Sequence, residues 1–380
     1  MTIKKEKLFL IGVLVLASLF FLFERGFLPG VTSKNSPYKS FELLGNVIGL
    51  IKRDYIEEVS PERTMMGALK GLIDSLDIVS SYLDKDNVVK FTKQKEAKLM
   101  DVGIVLSKRY GSFPVVIGVI EDSPAEKKGI RIGDAISALD DKSTMIMSLI
   151  ETKLYLKDIE EKPLNIRLLR GTKTQEVVLE RTLLFKKPYA LSDANGGSKV
   201  LKIHHFFPPC VKMIKKEIMP VTRSLKKTLI LDVRNCHEGD IEEASKFINL
   251  FLKANKIGYL EKHREAKQIL SSSEDAILKK VPLAIWVNQA TVGPGEVVAA
   301  VLQEMRQAMV VGVPTLGLAG KQELFPLADG SGLLLTTGVF HLNSGKKLWE
   351  KGVEPEVKID LRDQSFESYL DKTLDILHCP

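Results

Sequence analysis

The sequence is short of the residues that build disulfide scaffolds, metal sites and nucleic-acid surfaces. Only three cysteines occur in 380 residues, Cys210, Cys236 and Cys379. They are odd in number and widely spaced, which excludes a dense disulfide framework and any C-x-x-C metal site. His204 and His205 are adjacent, so on a strand they point to opposite faces and do not chelate one ion together. Cys236 and His237 read as an ordinary loop cysteine beside a solvated histidine. Aromatic residues make up 7% of the chain and no arginine-rich tract interleaves with them, so no nucleic-acid partner is expected. The basic excess, a formal +7, is spread along the chain, as in Lys212, Lys215, Lys216, Arg223, Lys226 and Lys227. It supports no more than a mild preference for acidic partners or anionic lipid. Neither a cofactor nor a metal is expected.

What is present points to a multidomain body. With 44% hydrophobic residues, a chain of this length buries two or three separate cores. At the amino terminus Lys4, Lys5 and Lys7 precede an apolar run from Leu8 to Phe23, closed by Glu24 and Arg25. As a helix this run spans about 24 Å, slightly short of a bilayer core but extendable by its flanks. The bulky residues Phe20, Phe21, Leu22 and Phe23 leave no small-x-small cleavage site. An uncleaved signal anchor over residues 1–25 is therefore expected, with the lysines cytoplasmic and the body exported to the periplasm or another extracytoplasmic face.

Beyond the anchor, periodicity divides the chain. Val47 to Glu58 and Thr64 to Leu76 show apolar residues at helical spacing, giving a linker and helical region over 26–98. Residues 99–184 read as alternating strands with one helix from Leu149 to Leu156. From Val200 onward strands and helices alternate. Leu229–Val233 and Leu283–Val287 have the apolar runs of buried strands, with helices expected over Ile241–Leu252 and Glu296–Arg306. The fold class is thus α+β multidomain, with a helical amino-terminal region, a β-rich middle domain and an α/β core over 185–380.

Motifs then attach chemistry to this outline. The stretch Ser123-Pro124-Ala125-Glu126-Lys127-Lys128-Gly129-Ile130-Arg131-Ile132-Gly133-Asp134-Ala135-Ile136 resembles the S-P-A-x-x-A-G-[IL]-x-x-G-D-x-I signature of PDZ domains. The resemblance places the loop and strand that accept a ligand's terminal carboxylate at Asp101, Val102, Gly103, Ile104, Val105 and Leu106, with Asp101 at a position often glycine. Asn288 to Ala300 resembles the N-x-x-S-A-S-A-S-E-[IV]-x-A-x-A segment of the carboxyl-terminal processing, or tail-specific, peptidases. Gly312 to Gln322 is similar to their G-x-x-T-F-G-K-G-x-x-Q. Gly71–Asp84, Leu229–Gly239, Asp329–Thr337 and Lys351–Val357 carry further segments of the same family.

The resemblance implies a serine nucleophile, a lysine base and a glutamine that positions the lysine. Counted from Glu296, the nucleophile position is Gly293; the base position is Leu318, and the glutamine survives as Gln322. Glycine has no nucleophilic atom and leucine accepts no proton at any pH. In the glycine-rich loop that helps bind the oxyanion, Glu238 replaces one glycine while Gly239 remains. Displaced substitutes are Thr291, read otherwise as a turn hydroxyl, and Lys321, read otherwise as a solvated loop lysine. The expected function is that of an exported adaptor or regulator that binds polypeptide tails, an active relative or its own copy, and does not cut. The alternatives are a rerouted serine-type endopeptidase using Thr291 or Lys321, and an envelope scaffold that binds no peptide.

Overall fold

The computed structural model describes residues 37–94, 99–109, 111–158, 162–194, 197–220, 228–272 and 276–377. The chain divides into two compact units, residues 1–68 and 69–380. The anchor expected over Leu8–Phe23 lies outside the described residues. Among those residues no helix is long and apolar enough to cross a membrane.

The first unit contains helix α1 (Pro37–Asp54), whose last turn carries Lys52 and Arg53 where cations complement the helix dipole. The helix expected to run to Glu58 stops at Asp54, since Glu57 and Glu58 would add negative charge at its negative end. Helix α2 (Pro61–Asp74) begins with proline in its first turn, where the missing N–H is no loss.

In the second unit β1 (Ser81–Leu83) and α3 (Lys85–Gln94) lead into the middle domain. Its elements are β2 (Met100–Asp101), β3 (Ile104–Ser107), β4 (Val115–Val119), α4 (Pro124–Lys127), β5 (Ala135–Leu139), β6 (Lys142–Ser143), α5 (Leu149–Leu156), β7 (Lys157–Asp158), β8 (Leu164–Arg170) and β9 (Lys173–Leu179). One sheet has the order β3-β4-β5-β8-β9, with β6 on β5, and β2 pairs separately with β7. Ser123 caps α4 by accepting the Glu126 N–H. A reciprocal Ser148–Glu151 capping box starts α5, whose bounds are those the sequence predicts.

The core continues with β10 (Tyr189–Ala194), β11 (Ser198–Ile203), α6 (Cys210–Ile218), β12 (Leu229–Asp232), α7 (Ile241–Ile248), β13 (Ala254–Lys262), β14 (Gln268–Ser272), β15 (Leu283–Val287), α8 (Pro294–Arg306), β16 (Met309–Gly312), β17 (Gly320–Pro326), β18 (Gly332–Leu342), β19 (Val357–Lys358) and α9 (Phe366–Leu377). Its main sheet runs β10-β11-β12-β15-β16-β19 and is parallel from β11 onward. Every residue of β12 and β15 is buried, as expected of strands covered on both faces. Helix α7 ends at Ile248, four residues before the predicted end. Leu250 and Phe251 then donate to the carbonyls three residues back, a tighter turn that still buries both side chains. A second, antiparallel sheet has the order β1-β18-β13-β14 with β17 on β18.

This topology places the site. The three motif-bearing loops follow β12, β15 and β16, so they converge at the carboxyl ends of neighbouring parallel strands, where open α/β sheets present their ligands.

Candidate functional site

Two asparagines join the first pair of loops. Asn235 donates its backbone N–H to Asn288 Oδ1 at 3.0 Å, and Asn288 Nδ2 donates to Asn235 Oδ1 at 2.9 Å. The Val292 N–H adds a bond to the Cys236 carbonyl at 3.0 Å. Beneath them Asp232 and Arg234 form a buried bidentate pair, and the guanidinium lies over the rings of Trp286 and Tyr369. Burial works against the Asp232 charge, but Arg234 outweighs it and holds the pKa below the usual carboxylate range.

Glu296 fastens the second and third loops. Its fully buried carboxylate accepts the N–H of Gly293 at 3.0 Å, of Gly317 at 2.6 Å and of Leu318 at 2.7 Å, and the Thr315 hydroxyl at 2.6 Å. Thr315 Oγ1 itself accepts the Val353 N–H at 2.9 Å, which directs its proton to Glu296. Burial raises the Glu296 pKa, and the four donors oppose that rise. In this arrangement Gly293 and Leu318, the positions where the resemblance expects nucleophile and base, hang on the same carboxylate.

Gly293 is the residue before α8, with φ 60° and ψ −113°. That sharp strand-to-helix turn, strained for any residue with a Cβ, is the geometry in which α/β hydrolases present a nucleophile. A Cβ added there would meet nothing closer than the Leu318 carbonyl oxygen at 3.9 Å, so space for a side chain exists. Leu318 is partly buried and packs against an apolar cluster made of middle-domain residues such as Ile104, Leu106, Leu149 and Leu156 together with Trp349 of the core.

The displaced substitutes are both engaged. Thr291 is fully buried; its hydroxyl donates to the Val233 carbonyl at 2.8 Å and accepts the Asn288 N–H at 3.0 Å. Lys321 lies on strand β17, not in a solvated loop, and its ammonium pairs with Glu242 of α7 at 3.0 Å. Gln322 follows it across a register irregularity between β17 and β18. His237 is also not solvated: its side chain is 12% exposed and Nδ1 lies 2.9 Å from the Asn235 carbonyl. Burial pushes the Cys236 thiol well above its usual pKa, so no thiolate nucleophile arises beside it. His204 and His205 separate as expected of neighbours, His204 stacking on Phe185 and His205 contacting Phe207. Among the described residues no group of three acidic, histidine or cysteine side chains could hold a metal ion.

Glu238 and Asp101 converge on a residue that sequence reasoning passed over. Lys157 forms an ion pair with Glu238 and lies 3.3 Å from Asp101 Oδ2, opposite Asp101 in the β2–β7 pairing. Burial penalises the Glu238 charge, but Lys157 outweighs it and brings the carboxyl down to about 2. The same two carboxylates raise the Lys157 pKa against its own burial. On the preceding turn of α5, Lys153 is pushed down by burial and partly supported by Glu238. The one signal in the sequence was the i, i+4 spacing of Lys153 and Lys157, which places two cations on one side of that turn.

Of the expected peptide-binding segment, Val102, Ile104, Val105 and Leu106 are all buried. Ile104 and Leu106 belong to the middle-domain cluster, whereas Val105 packs with Ala290 and Leu316 of the core loops. The Gly103 N–H donates to Asp101 Oδ1 at 2.9 Å. Strand β3 is an edge of its sheet among the described residues.

Comparison with known proteins adds to this geometry. Residues 200–359 match the model of peptidase family S41, and residues 89–180 match a PDZ domain. The carboxy-terminal processing protease CtpA of Bacillus subtilis is 28% identical over 97% of this chain and 80% of its own length. A probable CtpA-like serine protease of Staphylococcus aureus is 27% identical over 83% of this chain, which spans 64% of that relative. Among solved structures, a photosystem II D1 C-terminal processing protease superposes with a TM-score of 0.70 at 20% identity, covering 89% of this chain and 90% of that one. At that identity the likeness is one of fold.

Proposed function

The chain belongs to peptidase family S41 and carries a PDZ domain, and from this premise we propose that it binds the carboxyl tails of polypeptides without cleaving them, as an adaptor or regulator. One observation carries the proposal. Glu296 holds the nucleophile and base positions on a single carboxylate, yet glycine and leucine fill them. Acyl transfer needs an oxygen or sulfur to attack the carbonyl and a group to remove its proton. Neither Gly293 nor Leu318 supplies one, and the hydroxyl of Thr291 and the ammonium of Lys321 are committed to Val233 and Glu242.

Tail binding in this proposal uses the PDZ edge strand β3 and the neighbouring cleft. Anchoring through Leu8–Phe23, with the body on the extracytoplasmic side, belongs to the same reading and rests on the lysine-flanked apolar run. An active family peptidase, or a second copy of the chain, is a partner of the kind an adaptor would regulate.

The test is cleavage of an unfolded protein with an apolar carboxyl tail by the purified full-length chain, beside a Gly293→Ser, Leu318→Lys double variant. The expected result is tail binding with no turnover by the native chain. Turnover that survives repurification and disappears in Thr291→Ala or Lys321→Ala would overturn the proposal and make the protein a rerouted peptidase.

A further inference from the structure

Several contacts hold the PDZ domain against the core, among them Glu121 with Lys202 at 2.6 Å; three more involve the motif loops, and two of these three use residues that stand where family motifs call for catalytic or oxyanion-binding groups. The first is close backbone packing. A Cβ on Gly118 of β4 would meet Asn235 Oδ1 at 2.5 Å and the Ala290 Cβ at 2.6 Å, so this strand lies directly on the core loops. Asn235 Nδ2 also donates to the Val119 carbonyl at 3.1 Å. The second is apolar: Leu318, at the base position, packs with Trp349 against the cluster containing Ile104, Leu106, Leu149 and Leu156. The third is ionic: Glu238, standing where the family has glycine, pairs with Lys157 at the end of α5.

The position of Lys157 gives the third contact its meaning. It lies directly across the β2–β7 pair from Asp101, at the mouth of the loop assigned to capture a tail's carboxylate. Two carboxylates already surround its ammonium, Asp101 from the PDZ side and Glu238 from the core side. Asp101 also takes the Gly103 N–H, one of the amides expected to receive a bound tail. A terminal carboxylate arriving at this loop meets a cation that is already neutralised.

We propose that Glu238 is an intramolecular stand-in for the tail carboxylate: it occupies Lys157 in the docked state, and a polypeptide tail binds by displacing it. This rests on the tail-binding reading above and adds a consequence to it. Exchange of one carboxylate for another at Lys157 removes this ionic contact between PDZ domain and core and leaves the Glu121 pairs with Lys202 and Arg234, so tail binding is coupled to loosening of the docked domain around Lys157, and by linkage the coupling is reciprocal. Lowered apparent tail affinity is the cost of that coupling, because a tail binds only the fraction of molecules in which Glu238 has left.

The experiment compares the full-length chain with Glu238→Gln, nearly isosteric but uncharged, and Glu238→Gly, which restores the family residue. Each is titrated by fluorescence polarisation with a labelled decapeptide ending in three apolar residues, as the free acid and as the carboxyl amide. Hydrogen exchange is followed in parallel over residues 99–107 and 149–158. The expected result is at least tenfold tighter binding of the free acid by both variants, little change for the amide, and at least tenfold faster exchange in both segments. Unchanged exchange with equal acid binding by all three proteins would overturn the stand-in and leave the tail-binding reading intact. Faster exchange with no binding of either peptide by any protein would overturn the tail-binding reading and the mimicry with it.

Discussion

Replacing Glu296 by glutamine tests whether a charged carboxylate organises the frame. All four groups around it are donors: three backbone N–H groups and a Thr315 hydroxyl whose acceptor side is taken by Val353. A protonated carboxyl would add a fifth hydrogen to this shell, so the geometry calls for the ionised form although burial raises its pKa. Glutamine keeps one acceptor oxygen and turns an amino group toward the other two donors. Stranding two buried donors costs about 1–3 kcal/mol each, offset in part by removing a desolvated charge, so a net loss of about 3–5 kcal/mol is expected. Against a total stability of about 5–15 kcal/mol this is large, and it corresponds to a fall in Tm of about 10 °C. Thermal melting by circular dichroism measures the loss, and hydrogen exchange at the Gly317 and Leu318 amides localises it. A loss below about 1 kcal/mol, with both amides still protected, would refute the reasoning.

Other consequences follow from single positions. Gly293→Ser should fold, because its Cβ has space, but should lose about 1–3 kcal/mol to the strained φ and ψ; Gly312→Ala, whose Cβ would lie 1.9 Å from the Val287 oxygen, should not fold to the same state, and melting curves of the two separate strain from clash. Thr291→Val should cost about 2 kcal/mol in a urea titration, since the Asn288 N–H and Val233 carbonyl each lose a buried partner, and should leave tail binding unchanged. Burial, with Lys202 nearby, lowers the His204 pKa from 6.5 to about 4. The unfolded chain therefore binds this proton first, and stability should fall as pH drops from 6.5 to about 4 and level off below. The urea midpoint followed across that range should lose part of its slope in His204→Gln; an identical slope in the variant would reject the assignment.

How much of this was legible in the sequence depended on whether the signal was local. Helix α5 carries its own start signal, Ser148 and Glu151, and its bounds were readable. The apolar runs of β12 and β15 were readable because a buried parallel strand needs no alternation. Gly293 was found by counting from Glu296 and Leu318 from the Gly312–Gln322 segment, but the reason Glu296 is there was not visible. Its four donors come from positions −3, +19, +21 and +22 along the chain, and only the fold of β16 and its loop gathers them. Lys157 was missed for the same reason, since its partners lie 56 and 81 residues away in different domains. Lys321 was read otherwise as a solvated loop lysine, whereas long-range pairing with β18 makes Gly320–Pro326 a strand.

In the proposed reading, Gly293 and Leu318 also avoid costs that a serine and a lysine would impose at their positions. At φ 60° and ψ −113°, any residue with a Cβ stores about 1–3 kcal/mol of backbone strain, whereas glycine adopts the conformation freely. At position 318 a lysine would lie against apolar residues of the PDZ cluster and would have to be desolvated or neutral; leucine gains from the same burial. Glu238 converts a flexible glycine position into an ion pair across the domain boundary. Under the proposed non-cutting reading, all three residues place free energy in cohesion, the direction expected where catalysis does not require a strained and destabilised site. The Gly293→Ser, Leu318→Lys protein is therefore expected to melt lower than the native chain, by about the sum of the strain and the lost apolar burial, roughly 3–5 kcal/mol. A double variant as stable as the native chain would mean that the frame tolerates a serine and a lysine there without cost, and that Gly293 and Leu318 add nothing to stability over them.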